Sequence, residues 1–263
     1  MSRVLTLVNQ KGGVGKTTTA INLSAYLGMF GKKVLLIDLD PQSNATSSLG
    51  INKYEVRCGT YEVLLGSEPI APNILINPKL KISLLPSSPA LAGAEVELIS
   101  FEQREFRLRE ALQPVLERYD YIIIDCAPSL SLLTVNGLVA AKDGVLIPVQ
   151  CEYLALEGIG QLTQTLNLVR ASLFPELRIR GVILTMFDSR TNLSADVVSE
   201  VRKFFPNLVY DTIIPRSVRL AEAPSYGLPI SHYAPDSNPA KAYAALTREI
   251  IEQDGESVSP FIG

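Results

Sequence analysis

The sequence predicts an α/β fold, one domain with a mostly parallel, twisted central sheet covered by helices on both faces. Two observations carry that reading. Short apolar runs alternate with longer amphipathic stretches from end to end, as in repeated β–α–β units. Hydrophobic residues make up 47% of the 263 and charged ones 19%, which suits strands that are apolar on both faces and a large two-sided core.

Taken in order, the strands are expected at residues 4–8, 34–37, 82–85, 121–124, 145–149, 179–184 and 208–214. The first helix, 17–30, places Ala20, Leu23, Leu27 and Phe30 on one face, with Gly31 as its stop signal. Further helices are predicted at 106–118, 132–141, 158–173, 193–204 and 240–253, joined by turns containing Pro and Gly. The domain is thus expected over residues 1–253. Residues 254–263 mix Gly, Ser, Pro and acids and are expected to form a flexible tail.

The net charge of −3 provides no global attraction to nucleic acid or anionic lipid, so any such binding needs a local basic patch. Cys58, Cys126 and Cys151 lie far apart, without metal-ligand spacing, and their odd number argues against a secreted disulfide framework. No stretch approaches the ~18 apolar residues of a membrane span, and the N-terminus runs straight into a strand with no signal-peptide pattern. A cytoplasmic protein is expected. The single histidine, His232, has no acid or cysteine partner nearby in sequence and is expected to be structural.

The chemistry concentrates after the first strand, at Lys11-Gly12-Gly13-Val14-Gly15-Lys16-Thr17-Thr18. Glycines let backbone N–H groups converge on phosphate oxygens, and the following helix adds the positive end of its dipole. Lys16 would contact the β- and γ-phosphates, and the Thr17 hydroxyl would ligate Mg²⁺. The motif deviates from the usual phosphate loop, because Gln10 stands where a glycine is usual and Lys11 appears inside the loop. In these residues the chain resembles the ParA/MinD superfamily of P-loop ATPases, which also includes nitrogenase iron protein. The resemblance implies ATP and Mg²⁺ as cofactors and a nucleotide-sandwich homodimer in which Lys11 acts in trans on the other subunit's phosphates. A second cation there would stabilise transition-state charge as an arginine finger does.

Two strands end in acids. Asp38 and Asp40 stand at i and i+2, on the same side if the strand persists past Asp38, although Pro41 interrupts such an extension. Acids at a strand end also serve as turn formers or helix caps. The stretch Asp38 to Thr46 resembles the family's switch I, which makes Asp40 the candidate for orienting or deprotonating the attacking water, with Asp38 helping the Mg²⁺ shell. The run Tyr121-Ile122-Ile123-Ile124-Asp125 is an apolar strand ending in an acid, the Walker B arrangement for control of Mg²⁺. Cys126, next in sequence, is read as a small buried residue.

Blocks at 148–158, 184–193 and 214–225 resemble the chromosomal ParA/Soj branch. That resemblance implies that Pro215 and the segment at Met186, past the end of strand 179–184, lie against the adenine. It further implies that the ATP-bound dimer binds double-stranded DNA without sequence preference, using Arg190 and Arg219 with Arg216 as a weaker candidate. A ParB-like centromere-binding protein would stimulate hydrolysis and release, in a nucleoid-associated partitioning ATPase. The cargo could instead be a protein assembly positioned on the nucleoid. A MinD-like membrane-associated regulator of division placement would need a basic amphipathic C-terminal helix, whereas residues 254–257 read Asp-Gly-Glu-Ser. An iron–sulfur electron donor would need bridging cysteines, and a non-catalytic nucleotide sensor would need Asp40 to be idle.

Overall fold

The computed structural model describes residues 2–153 and 155–256, without the side chains of Leu156 and Glu157. Leu154, within one of the branch-level blocks, and residues 257–263 of the expected tail lie outside the described residues. Seven strands, β1 (Arg3–Leu7), β2 (Val34–Leu39), β3 (Leu75–Asn77), β4 (Ile82–Leu85), β5 (Tyr121–Cys126), β6 (Val145–Gln150) and β7 (Ile179–Thr185), form one sheet. Its order is β3-β4-β2-β5-β1-β6-β7, and only the pairing of β3 with β4 is antiparallel.

The first helices are α1 (Lys16–Met29), α2 (Asn44–Ser48), α3 (Thr60–Leu65), α4 (Leu91–Glu97), α5 (Arg107–Leu112) and α6 (Leu132–Ala140). They are followed by α7 (Ala155–Ser172), α8 (Asn192–Phe204), α9 (Val218–Glu222), α10 (Ile230–Tyr233) and α11 (Asn238–Gln253). Strand alternation sorts the core into two layers. Leu36 and Ile123 pack with α1 and α11 on one face. Leu35, Ile37, Ile122 and Ile124 pack with α3 to α6 on the other. Val145, Ile147, Val149, Val182 and Leu184 of β6 and β7 join α7 and α8 in a third cluster, while Leu146 and Ile183 face α1 and α11.

Three departures from expectation have local causes. Residues 208–214 form no strand. They touch β7 intermittently, through Val182 N to Leu208 O (2.7 Å) and Ile214 N to Leu184 O (2.9 Å), but the amides of Asp211 and Thr212 donate to the Glu249 carboxylate at 2.8 Å instead of to the sheet. The helix expected at 106–118 keeps α-helical form only over α5, and residues 113–118 tighten into a 3₁₀ helix with Pro114 in its first turn. Proline has no N–H to give the preceding turn, and its ring clashes with a carbonyl there. β3 went unpredicted because all three of its residues are exposed, so it has no buried face to produce an alternating pattern.

The chain is also anchored where fraying was expected to begin. The Asp254 side chain is 4% exposed and pairs with Arg180 at 2.8 Å and Arg3 at 3.2 Å, while accepting from Tyr121 Oη at 2.8 Å. This ties the end of α11 across β1, β5 and β7. Asp254→Ala leaves the largely buried Arg180 guanidinium without its ion pair, while Arg3 keeps Asp143 at 3.2 Å, and the expected loss is about 3 kcal/mol of unfolding free energy, read as a lowered urea midpoint at unchanged slope.

Candidate nucleotide-binding site

The carboxyl ends of the parallel strands bring the predicted residues to one edge, where ligands of such sheets bind. β5 lies between β1 and β2, with Asp125 in register with Leu7 on one side and Asp38 on the other. The loop leaving β1 therefore arches over Asp125, with β2 delivering Asp38 and Asp40 from the far side.

Side chains hold that loop open. Asn9 accepts from Lys11 N (3.0 Å) and donates to Pro148 O (2.8 Å), and Gln10 donates to Thr165 Oγ1 on α7 (3.1 Å). Val14 is buried, and its carbonyl accepts from Thr185 Oγ1 (2.8 Å). Gly15 caps α1 with φ 87°, a left-handed conformation that a Cβ would strain. Lys16 opens α1, is 6% exposed and donates Nζ to Lys11 O (3.2 Å). Burial lowers the Lys16 pKa, opposed by the nearby acids Asp125 and Asp40.

Asp125 is fully buried. Among the described residues neither of its oxygens has a hydrogen-bond partner of normal geometry, although the nearby Thr17 hydroxyl and Lys16 temper its charge. Burial, reinforced by the like charge of Asp38, raises its pKa well above the carboxylate range. A buried carboxyl without partners calls for an explanation, and a cation beside Thr17 supplies one. Among the described residues no three His, Cys, Asp or Glu side chains form a ready metal cage. That fits Mg²⁺, which takes one or two protein groups and completes its shell with water and substrate phosphates.

Asp38, expected beside the Mg²⁺ shell, is fully buried next to Asp125. Its carboxylate accepts from Thr46 N (2.8 Å), Thr46 Oγ1 (2.6 Å) and Asp40 N (3.3 Å), so it anchors α2 and the turn before it. Burial pushes its pKa up to about 6, against those hydrogen bonds. Asp40 is 4% exposed, and its Oδ1 accepts from Gln42 N (2.8 Å). With Gly13, Lys16, Thr17 and Pro128 it lines a cleft of about 360 Å³.

An apolar recess continues from that cleft. Gly15, Thr18 and Met186 border both, and Ile214, Pro215 and Tyr243 are among the other residues that line the recess. Met186 sits at φ 54°, a left-handed strain at a site wall. Tyr243 and Thr185 are site residues the sequence reading missed. Tyr243 comes from α11, far along the chain, and meets α1 through a hydroxyl pair with Thr19 (3.1 Å); read alone, it is one more apolar position at helical spacing.

The basic residues divide. Arg190 is exposed and holds Asp188 with two bonds of 2.8 and 2.6 Å, which depresses the Asp188 pKa, with a smaller contribution from Arg216. Arg216 lines the apolar recess and makes no ion pair among the described residues. Arg219 pairs with Glu222 (3.3 Å). Cys126 and Cys151 are buried and Cys58 is half-buried, all as free thiols. His232 is exposed, with Nδ1 3.0 Å from Ser231 Oγ.

A glycine-capped loop between a parallel strand and a helix, a buried lysine, an unpartnered strand-end aspartate and an adjoining apolar recess define a P-loop nucleotide-hydrolysing protein. The family model described as an AAA domain matches residues 2–179. The chain is 51% identical over 254 residues to the chromosome partitioning protein ParA of Myxococcus xanthus, covering 97% of this chain and 89% of that one. It is also 51% identical over 250 residues to the sporulation initiation inhibitor protein Soj of Bacillus subtilis, covering 95% and 98%. Among solved structures it is similar to cobyrinic acid a,c-diamide synthase from Mycobacterium smegmatis with bound ADP and magnesium, with TM-score 0.85 and 36% identity over the full length of both chains. The chain belongs to the ParA/Soj family of chromosome-partitioning ATPases, within the ParA/MinD superfamily.

Proposed function

We propose that this ATPase is a dimerising switch for chromosome or plasmid partitioning, acting through a single catalytic domain over residues 1–253. The observation that carries the dimer is Lys11. Its backbone is built into the loop, yet its side chain has no hydrogen bond or ion pair among the described residues, as a group meant for another subunit's phosphates should be.

In this reading, ATP would supply the scissile bond and Mg²⁺ would supply positive charge that offsets the phosphates' negative charge. Backbone amides from Gly12 to Thr18 cradle the phosphates, Lys16 neutralises them, and Thr17 and Asp125 hold the metal, Asp125 through its otherwise unpartnered oxygens. Asp38 acts on the metal site at one remove, by fixing α2 and the turn that carries Asp40. Asp40 orients or deprotonates the attacking water, and Met186 and Pro215 contact the adenine.

The ATP-bound dimer would bind nonspecific DNA through Arg190, Arg216 and Arg219, doubled on one face. Exposed pairs such as Arg190–Asp188 contribute little to stability, so exchanging a carboxylate for a phosphate costs little. A membrane role has less support. The apolar face of α11 is spent on the core at Tyr243, Leu246, Ile250 and Ile251, and no helix among the described residues is long and apolar enough to cross a membrane.

The test is steady-state ATPase rate with nonspecific DNA, with a ParB-like N-terminal peptide, and with both. Stimulation by the combination alone is expected, together with DNA binding that requires ATP and weakens with salt at a slope of about 0.9 per phosphate contact. DNA affinity independent of ATP and flat with salt would overturn the switch.

A further inference from the structure

We infer that the contact between Gly50 and Gly227 is a positioning contact, fixing where α2 and Asp40 stand relative to the wall of the apolar recess. Two short helical segments end against each other here. α2 closes with Gly50 at φ 79°, its N–H donating to Ser47 O at 3.0 Å. The 3₁₀ turn Ala223–Tyr226, which continues α9, closes with Gly227 at φ 68°, its N–H donating to Pro224 O at 3.0 Å.

Each segment leads into the site. α9 carries Leu220 and Ala221 of the recess wall. The block around it is braced by the Tyr226 and Tyr233 rings, tilted 32° to each other with centroids 4.8 Å apart, and by Tyr233 Oη donating to Glu222 at 2.9 Å. It is fastened to the phosphate-loop helix where Ile230 N donates to Asn22 Oδ1 at 2.7 Å. On the other side, α2 is held by Thr46 on Asp38. Ser87 then joins α2 to Asp40, its N–H donating to Thr46 Oγ1 at 2.9 Å and its hydroxyl to Asp40 O at 2.9 Å. A displacement at Gly50 thus reaches Asp40 through packed and hydrogen-bonded groups.

The contact is asymmetric, which makes it testable. A Cβ on Gly227 would lie 2.9 Å from Gly50 Cα and 3.1 Å from Gly50 N, backbone atoms that cannot swing aside. A Cβ on Gly50 would meet Gly227 Cα at 3.6 Å, ordinary contact. Both positions are left-handed, so alanine carries a similar backbone strain at either. Only the substitution at 227 also drives the segments apart, by roughly half an ångström.

The inference rests on the reading of Asp40 as the water-orienting residue, so Gly227→Ala, Gly50→Ala and Asp40→Ala are assayed side by side for ATPase kinetics, ADP affinity and thermal melting. Gly227→Ala is expected to lower kcat roughly tenfold, as small misplacements of a reacting group do, while KM and ADP affinity stay within about threefold, less than 1 kcal/mol. Gly50→Ala is expected to melt at a similarly lowered temperature but to keep kcat near wild type. Equal loss of kcat in both glycine variants, or loss of ADP affinity in step with kcat at Gly227→Ala, overturns the inference. Should the alanine at 227 prevent folding, the pair Gly227→Asn and Gly50→Asn decides by the same outcomes, because asparagine accepts left-handed backbone more readily. Normal turnover in Asp40→Ala would instead defeat the reading of Asp40, whatever the glycines do.

Discussion

Lys16→Ala is expected to weaken ATP binding on the order of 100-fold, whereas Lys11→Ala spares most monomer binding and loses the ATP-dependent dimer and hydrolysis. The two lysines lie in one loop with opposite surroundings. Lys16 is buried, and its positive charge faces Asp125 and Asp40. Without it, a triphosphate would enter a site lined by two acids, and losing one partner of a buried, hydrogen-bonded charge pair costs about 2–5 kcal/mol. Lys11 contributes its backbone to the loop through Asn9 and Lys16, and an alanine keeps both of those bonds. In the proposed nucleotide-sandwich dimer, Lys11→Ala would remove a cation from the neighbouring site, a role that in arginine fingers is worth on the order of 10³ or more in turnover. Binding of a fluorescent ATP analogue, measured beside size-exclusion chromatography with ATP, separates the two. Equal loss of affinity in both variants would count against action in trans.

The parts of this site legible in sequence are those whose chemistry is local. The phosphate loop and the strand ending in Asp125 each place their functional residue within a few positions of the pattern that reveals it. The structure adds that, among the described residues, Asp125 lacks a hydrogen-bond partner of normal geometry, a fact about its surroundings that no spacing contains. Asp38 shows the limit from the other side. Strand-end acids serve as ligands or as turn anchors, and only the position of Thr46, eight residues on, shows that its oxygens are engaged in holding α2. The same holds for the fold. Buried parallel strands were legible because most of their positions are apolar, while segment 208–214 is equally apolar in part but loses its sheet pairing to Glu249. Tyr243 and the Gly50–Gly227 contact join residues far apart in the chain, and no periodic pattern encodes either.

Asp40→Ala is expected to preserve ATP binding and to slow hydrolysis by about 10²–10⁴, the usual contribution of a positioned general base. The direction of the binding effect follows from charge. Asp40 stands in the same cleft as Lys16 and Thr17, so removing its carboxylate takes one negative group away from the incoming phosphates and leaves the lysine in place. Affinity should therefore hold or rise as turnover falls, a split that general unfolding cannot produce. Asp40→Asn refines the test because it keeps an oxygen acceptor for Gln42 N while lacking the charge. If Asp40 only orients water through hydrogen bonding, the asparagine retains part of the rate; if it takes the proton, asparagine is as slow as alanine. Either way an ATP-bound species accumulates, and in the partitioning reading it stays dimeric and on DNA, visible as a slow off-rate in ATP that returns to normal in ADP. Wild-type hydrolysis in Asp40→Ala would remove Asp40 from the mechanism.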